Sequence, residues 1–197
     1  MYLYTQMNLN ANDTAVLVID MQNCFAQEGG SLYSEASEDV IPDIVEFIEE
    51  ATDAGALLGY TRDTHPQDQF EDLDNYDEFD RWGEHAVPDT EGHELVEELQ
   101  SIEPDIGPID KNTYDAFYET DLAETLTEQE IENVIVIGTL ANVCVMHTAS
   151  SAALNDFNTV VLEDLVGYIT EEHKQYAVDH VDWLFGNVVT SDYVQFE

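Results

Sequence analysis

The segment Asn133-Val134-Ile135-Val136-Ile137-Gly138-Thr139-Leu140-Ala141-Asn142-Val143-Cys144 decides the fold of this chain. Residues 134–137 are apolar and β-branched, and a glycine ends the run, which is typical of a parallel strand covered on both faces. A short turn follows the glycine, and the next residues predict a helix over about 142–155. A strand that leads through a tight turn into a helix is the repeating unit of α/β proteins.

The same alternation continues on both sides of this segment. Apolar, β-branched runs predict five more strands, at 15–19, 56–61, 108–110, 159–162 and 187–190. Helices are predicted between them, at about 38–53, 90–100, 121–129 and 171–185. We therefore expect an α/β, doubly wound fold with a six-stranded, mostly parallel sheet and helices on both faces. Without an internal repeat or linker, one domain over residues 1–197 is expected.

A long polar and aromatic stretch, residues 62–92, interrupts this alternation. It follows the second predicted strand and shows neither helical nor strand periodicity. Loops of this length inside a compact domain are usually functional. The stretch therefore predicts part of a binding or active site.

The charge of the chain is extreme. Forty-four acidic residues face only Lys111, Lys174, Arg62 and Arg81, and the net charge is −40. Such a protein repels nucleic acid and anionic membranes, because nothing basic neutralises phosphates. The carboxylates are spread over the whole chain, which disfavours an acidic interaction tail and indicates a surface adapted to high salt, where charge repulsion is screened.

The location of the protein is predicted from what the sequence lacks. The N-terminal residues contain no basic segment followed by an apolar run, and no apolar segment reaches 18 residues. The only cysteines, Cys24 and Cys144, lie in apolar surroundings and imply no disulfide framework. We expect a protein of a high-salt cytoplasm that binds neither membranes nor nucleic acid.

Reactive side chains follow the predicted strands. Asp20 follows the first strand, Asp63 and His65 the second, Lys111 the third, and Cys144 comes one short turn after the fourth. In a doubly wound sheet the site lies beyond the carboxyl ends of the strands. These five side chains are therefore expected to meet at one edge of the sheet.

Three of these side chains make a chemically coherent set, although each has an ordinary structural alternative. A buried cysteine is more often a small core residue, but Cys144 is predicted in the first turn of a helix, where a thiol pKa falls. Lys111 is one of only two lysines in the chain, and its ammonium could stabilise a nearby thiolate or oxyanion. The alternative is that Lys111 is a surface residue without a function. Asp20 is either a turn cap or a general base.

The chain resembles the isochorismatase-like cysteine hydrolases, and among them the nicotinamidases. The resemblance covers nearly the whole chain and rests on five stretches in the same order: Val18-Ile19-Asp20-Met21-Gln22-Asn23-Cys24-Phe25, Thr61-Arg62-Asp63-Thr64-His65-Pro66, Arg81-Trp82-Gly83-Glu84-His85-Ala86-Val87, the Lys111, Tyr114, Ala116 and Phe117 segment, and Gly138-Thr139-Leu140-Ala141-Asn142-Val143-Cys144-Val145. Departures occur where Cys24 and Asn142 replace aspartates and Ala86 replaces a cysteine, and Gly83-Glu84 replaces a proline-containing step. None of them touches Asp20, Lys111 or Cys144.

The resemblance implies roles for named residues. It implies a catalytic triad of Asp20, Lys111 and Cys144, and a cis peptide between Thr139 and Leu140 that directs backbone N–H groups to an oxyanion. It implies a divalent metal, zinc or else iron or manganese, that is bound by Asp63, His65 and His85. Imidazole and carboxylate groups are common ligands of these metals. It also implies an aromatic substrate pocket, lined by Phe25, Trp82 and Tyr114, for which a core role is the alternative. The other histidines, His93, His147, His173 and His180, are interpreted as polar surface residues.

Three functions are compatible with these observations. The first is a cysteine-dependent amidohydrolase that converts nicotinamide to nicotinate and ammonia through a thioester. The second keeps the triad but hydrolyses an N-carbamoyl or ureido amide, or another substrate of the family, without a metal. The third is a non-catalytic oligomeric scaffold, which the complete triad disfavours. The resemblance also implies a homo-oligomer.

Overall fold

A computed structural model describes residues 5–70 and 77–197. Its strands are β1 (Met7–Leu9), β2 (Thr14–Ile19), β3 (Leu57–Asp63), β4 (Ile106–Lys111), β5 (Asn133–Gly138), β6 (Asn158–Val166), β7 (Asn187–Val189) and β8 (Val194–Phe196). Its α-helices are α1 (Asn23–Ala26), α2 (Glu35–Asp39), α3 (Ile41–Ala54), α4 (Asp77–Trp82), α5 (Glu97–Gln100), α6 (Leu122–Glu128), α7 (Met146–Leu154) and α8 (Glu171–Leu184).

The main sheet has six strands in the order β4-β3-β2-β5-β6-β7, and every pair in it is parallel. Successive residues of β2 enter two different cores: Val16 and Val18 pack on one face, and Ala15, Leu17 and Ile19 on the other. Because both faces are covered, the strand is apolar at each of these positions instead of alternating with polar residues. The predicted doubly wound α/β fold is confirmed.

A second, two-stranded sheet was not predicted. It pairs β1 with β8 in parallel, with Met7 opposite Val194. Each of its strands has only three residues, which is too short for a periodic pattern to stand out.

Several predicted helices differ in the structure. Residues 90–100 form a 3₁₀ turn, Glu91–His93, and the short α5, because Leu95 between them pairs with Gln22 in an antiparallel bridge. The helix predicted at 38–53 is divided into α2 and α3, and Pro42 lies in the first turn of α3. The predicted loop at 62–92 contains a 3₁₀ turn, Gln67–Phe70, and α4.

The turn between β5 and α7 is the one that positions the site. Gly138 has φ 107°, and a Cβ atom there would lie 2.3 Å from the backbone oxygen of Ile19, so only glycine fits. After it, Ala141–Val145 form a π-helical turn before α7 begins at Met146. The predicted helix over 142–155 thus begins with an irregular turn, and such turns are frequent at functional sites.

In the described residues no helix is both long and apolar enough to cross a bilayer.

Candidate active site

The reactive side chains lie at the ends of four neighbouring strands. Asp20 follows β2, Asp63 and Lys111 are the last residues of β3 and β4, and Cys144 lies in the turn after β5. All four are buried, although Cys144 lines a cleft. Asp20 and Asp63 are the only buried carboxylates among the described residues, and Lys111 is the only buried lysine or arginine there.

Lys111 lies between the carboxylate and the thiol. Its Nζ is 2.7 Å from Asp20 Oδ2 and 3.6 Å from Cys144 Sγ, and it donates to the backbone oxygen of Thr113 at 2.8 Å. The other oxygen of Asp20 accepts a hydrogen bond from Thr61 Oγ1 at 2.6 Å. The structure thus brings Asp20, Lys111 and Cys144 into direct contact, with the carboxylate oriented by two donors.

The pKa values of these groups follow from burial and from their mutual charges. Burial raises the pKa of the Cys144 thiol well above its ordinary value; Lys111 opposes that rise and Asp20 adds to it. Burial also raises the pKa of Asp20, against the opposing charge of Lys111. Burial alone would lower the pKa of Lys111, but Asp20, Cys144 and Asp63 together raise it.

The lowered thiol pKa expected at a helix start is therefore wrong for this site. Removal of the sulfur from water outweighs the helix terminus, and the π-helical turn differs from the regular first turn that the expectation assumed. Burial thus favours the neutral thiol over the thiolate, and the carboxyl group of Asp20 beside it also has a raised pKa. A carboxylate with a raised proton affinity is suited to take the thiol proton.

The turn before Cys144 is held from several sides. The peptide bond between Thr139 and Leu140 is cis, at the position that the resemblance implied. The backbone N–H of Thr139 donates to Ile19 at 2.9 Å, and its hydroxyl group hydrogen-bonds to that of the buried Ser37 at 2.7 Å. The N–H of Ala141 donates to Gly167. These contacts fix the backbone on both sides of Leu140.

Asp63, His65 and His85 form a second cluster beside the triad. Their ligand atoms lie within 4.8 Å of one another: His65 Nε2 is 3.0 Å and His85 Nε2 is 3.7 Å from Asp63 Oδ2. Nδ1 of His85 hydrogen-bonds the backbone oxygen of Gly83 at 2.8 Å. Two imidazoles and one carboxylate, all buried, suit zinc, iron or manganese, so the residues fit a divalent metal.

Asp63 connects this cluster to the triad. Its Oδ1 lies 3.5 Å from Lys111 Nζ. Burial alone raises the pKa of Asp63, but Lys111 and His65 lower it below the ordinary value, so it is ionised. One carboxylate therefore faces both the ammonium of Lys111 and the two imidazoles.

An open cleft of about 790 Å³ lies over both clusters. The predicted substrate residues Phe25, Trp82 and Tyr114 all line it, with Phe25 buried and Trp82 more than half exposed. His85 packs edge-on against Phe25, with 6.0 Å between ring centroids. The cleft is therefore bounded by aromatic rings above a floor of reactive groups.

Of the histidines interpreted as polar surface residues, His147 and His173 are exposed, whereas His93 is not. His147 and His173 line the cleft, and the ring of His147 lies 5.7 Å from that of Tyr114. His93 is buried, and its Nε2 hydrogen-bonds Thr64 Oγ1 at 2.9 Å. Their positions depend on how the helices and turns that carry them pack around the cleft, which the neighbouring residues in the sequence do not reveal.

Gln22 is a supporting residue that was not predicted from the sequence. This fully buried side chain accepts from the backbone N–H of Asp63 at 2.7 Å and donates to its carbonyl at 3.0 Å, as a neighbouring strand would. It also donates to the carbonyl of His93 at 3.0 Å. Its place two residues after Asp20, directly beyond the apolar strand that ends at Ile19, was the available signal.

Residues 14–193 match the Isochorismatase domain family. The chain is 27% identical to Nicotinamidase 3 of Arabidopsis thaliana, covering 93% of this chain and 87% of that protein, and 27% identical to a ureidoacrylate amidohydrolase of Rhizobium rhizogenes, covering 93% and 82%. It is similar to the zinc complex of Pyrococcus horikoshii pyrazinamidase, with TM-score 0.76, 28% identity and coverage of 90% and 99%. The chain belongs to the isochorismatase family of hydrolases.

Proposed function

We propose that this protein is a cysteine-dependent amidohydrolase that converts nicotinamide to nicotinate and ammonia through a thioester on Cys144. The observation that carries the proposal is the position of Lys111 Nζ, within 2.7 Å of Asp20 and 3.6 Å of Cys144 Sγ, under a cleft that also contains Asp63, His65 and His85. Similarity to a nicotinamidase and to a pyrazinamidase bound to zinc supports the same function.

The reaction begins at the thiol. Asp20 takes the proton of Cys144, and the sulfur attacks the carboxamide carbon, forming a C–S bond while the carbonyl π electrons move to oxygen. The backbone N–H groups of Leu140 and Cys144, together with the charge of Lys111, stabilise that oxyanion. When the C–N bond breaks, Asp20 returns its proton to the leaving nitrogen and ammonia departs.

Water completes the cycle. Asp20, now ionised, takes a proton from water as the water oxygen attacks the thioester carbon. The C–S bond breaks, the carboxylic acid leaves, and the proton held by Asp20 returns to the sulfur. Lys111 enters the cycle as an ammonium, because the charges of Asp20 and Asp63 raise its pKa against the effect of burial.

Asp63, His65 and His85 would hold a divalent metal, with zinc favoured and iron or manganese as the other choices. When bound, this ion supplies a Lewis-acidic position for a heteroaromatic nitrogen of the substrate. Phe25, Trp82 and Tyr114 would contact the flat ring, since aromatic faces and edges pack well against one another.

The charges around the cleft favour a neutral substrate. Of the described residues that line it, none is a lysine or arginine. Lys111 lies beneath this lining and already faces Asp20 and Asp63. The negative charge of the protein would repel a substrate that carries a carboxylate. No lysine or arginine in the described lining of the cleft could pair with that carboxylate.

A second candidate is a hydrolase of an N-carbamoyl or ureido amide, to which the similarity with a ureidoacrylate amidohydrolase points. His147 and His173 in the cleft favour it, because an imidazole N–H can donate a hydrogen bond to an acidic group. A non-catalytic scaffold is disfavoured, since burying Asp20, Lys111 and Asp63 together is costly without a use for them.

Ammonia release from a panel of amides, measured in molar salt with metal-loaded and metal-stripped protein, tests the proposal. We expect nicotinamide to be the best substrate and its hydrolysis to require the metal. Faster hydrolysis of a ureido amide, unaffected by metal removal, would replace the first candidate with the second. No ammonia from any amide would favour the scaffold.

The acidic surface and the exposed face of α8 complete the proposal. With Asp20 and Asp63 as the only buried carboxylates in the described chain, the remaining described acidic groups contact solvent, which suits a high-salt cytoplasm.

Tyr176 and Trp183 on α8 are more than half exposed, which supports a homo-oligomer. Sedimentation in molar salt and after dilution measures both the oligomer and its dependence on screening.

A further inference from the structure

Two side-chain amides lie behind His65, on the side away from Asp63. Nδ1 of His65 is 3.3 Å from Gln69 Oε1 and 3.1 Å from Asn112 Nδ2. Gln69 and Asn112 also bind each other through two hydrogen bonds of 3.0 Å, one in each direction. His65 is therefore backed by a closed amide pair, which we call the amide clamp.

Asn112 has fewer amide hydrogens to donate than there are hydrogen-bond acceptors around it. Asn112 Nδ2 carries two hydrogens but lies within hydrogen-bond distance of three acceptors: the carbonyl of Thr64 at 2.5 Å, Oε1 of Gln69, and Nδ1 of His65. The shortest contact takes one hydrogen. The second hydrogen goes either to the imidazole or to Gln69, and the choice depends on where the imidazole proton is.

Each choice corresponds to one tautomer of His65. When Asn112 donates to Nδ1, the imidazole proton is on Nε2 and is donated to Asp63 Oδ2 at 3.0 Å. When Asn112 donates to Gln69, Nδ1 carries the proton and donates it to Gln69 Oε1, and the Nε2 lone pair is available. Only the second tautomer can bind a metal through Nε2.

We propose that Gln69 and Asn112 are positioning residues that set the tautomer of His65 for metal binding. Oε1 of Gln69 accepts a hydrogen bond from Nδ1–H of His65 in the metal-bound state, and Asn112 holds Gln69 in place by turning its own hydrogen bond from the imidazole to Gln69. The inference rests on the metal role in the proposed function. His85 differs, because its Nδ1 faces a backbone carbonyl that no side-chain substitution removes.

The clamp also connects the metal ligand to the triad. Asn112 directly follows Lys111 at the end of β4, and the carbonyl of Lys111 accepts from the backbone N–H of Thr64 at 2.8 Å. The side chain that backs His65 is thus fixed by the strand that positions the catalytic ammonium. The position of His65 is thereby coupled to the sheet although His65 itself lies on a loop.

Zinc affinity without substrate tests the clamp, measured by chelator competition on the full chain. Gln69→Met removes the acceptor at similar size, and we expect the dissociation constant to rise about 10- to 100-fold. Gln69→Glu keeps an acceptor and should bind as tightly as the wild type or more tightly. Gln67→Met is the matched control, because Gln67 lies on the same turn and binds Glu84 at the surface.

A second readout separates positioning from simple loss of structure. Nitrogen NMR of ¹⁵N-labelled histidine should show Nδ1 of His65 protonated in the zinc-bound wild type. In Gln69→Met, the thermal unfolding of the metal-free protein should equal that of Gln67→Met. Equal zinc affinity of Gln69→Met, Gln67→Met and the wild type would overturn the clamp, while an absence of zinc binding by the wild type would overturn the metal role and this inference with it.

Discussion

The two halves of the cleft floor are built in different ways. Asp20 and Lys111 are fixed at the ends of strands of the main sheet, and Cys144 lies in a turn bound to β2. His65 and His85 lie on two loops that the backbone hydrogen bond from His65 N–H to Ala86 joins at 3.0 Å, and the Nδ1 atoms of their rings face Asn112 and the carbonyl of Gly83. Asp63, at the end of β3, belongs to both halves. Under the proposed function, the triad half would supply the chemistry for any amide, and the histidine half would select among amides.

Cys144, the proposed nucleophile, gives the largest expected effect and the sharpest distinction between the halves. Cys144→Ala should lower kcat/KM for every hydrolysed amide by about 10⁴-fold or more, because no other group in the site can form the thioester. Ammonia release measures it. Cys24→Ala, at the other buried cysteine, is the control and should retain activity. Comparable losses in both variants would mean that Cys144 has no special role.

The two lysines test whether the triad half also depends on its buried ion pairs. Lys111→Met leaves Asp20 and Asp63 buried without a cation, and we expect a loss of about 3–5 kcal/mol in the free energy of unfolding at neutral pH. Because the carboxylate pKa values then rise in the folded state, the deficit should shrink as the pH falls through them.

Lys174→Met is the matched control for that measurement. Lys174 lies over the Tyr168 ring, 5.2 Å from its centroid, and its loss should cost about 1 kcal/mol or less. Urea denaturation at two pH values measures the free energy of unfolding of the wild type and of both variants. Equal effects at the two lysines, or a Lys111→Met deficit that grows on acidification, would contradict the electrostatic account.

The histidine half should show an effect that depends on the substrate. His85→Ala should lower kcat/KM for nicotinamide by about 10- to 100-fold, the cost of one polar contact to a charged partner. An amide without a ring nitrogen should lose much less. His180→Ala, on α8 beside Tyr176, is the control. A uniform loss for all amides would place His85 in the chemistry instead of in selection.

Thiol labelling gives the smallest expected effect and reports on the resting triad. Because burial and Asp20 raise the pKa of Cys144, alkylation of the wild type should be slow at neutral pH and should accelerate at alkaline pH. Asp20→Asn removes one negative neighbour and leaves Lys111, so the labelling profile should shift to lower pH while hydrolysis is lost. Peptide mass spectrometry separates Cys144 from Cys24, whose pKa burial raises to about 12. A shift to higher pH would contradict the assigned charges.

The sequence predicted the sheet because its central strands β2 and β5 are apolar runs, and it predicted which strand ends carry Asp20, Asp63, Lys111 and Cys144. These predictions use only local pattern and the rule that the carboxyl ends of parallel strands share an edge. The resemblance to the family added His85 and the bond between Thr139 and Leu140. The roles of these residues stay predictions, although the structure places them together.

The remaining features depend on contacts between distant segments. Leu95 is extended instead of helical because it pairs with Gln22, and the thiol pKa rises because several elements together exclude water from Cys144. His147 reaches the cleft because the turn holding Cys144 sets the start of α7. These features result from tertiary contacts, so a short segment of the sequence cannot predict them.

Trapping of the covalent intermediate tests the central claim most directly. The protein is mixed with nicotinamide, quenched in acid over a time course during turnover, digested and mapped by mass spectrometry. The account predicts a nicotinoyl group on the peptide that contains Cys144, appearing with the first ammonia released and absent from Cys144→Ala. Ammonia release with a nicotinoyl group on a different residue, or undiminished release by Cys144→Ala, would contradict it.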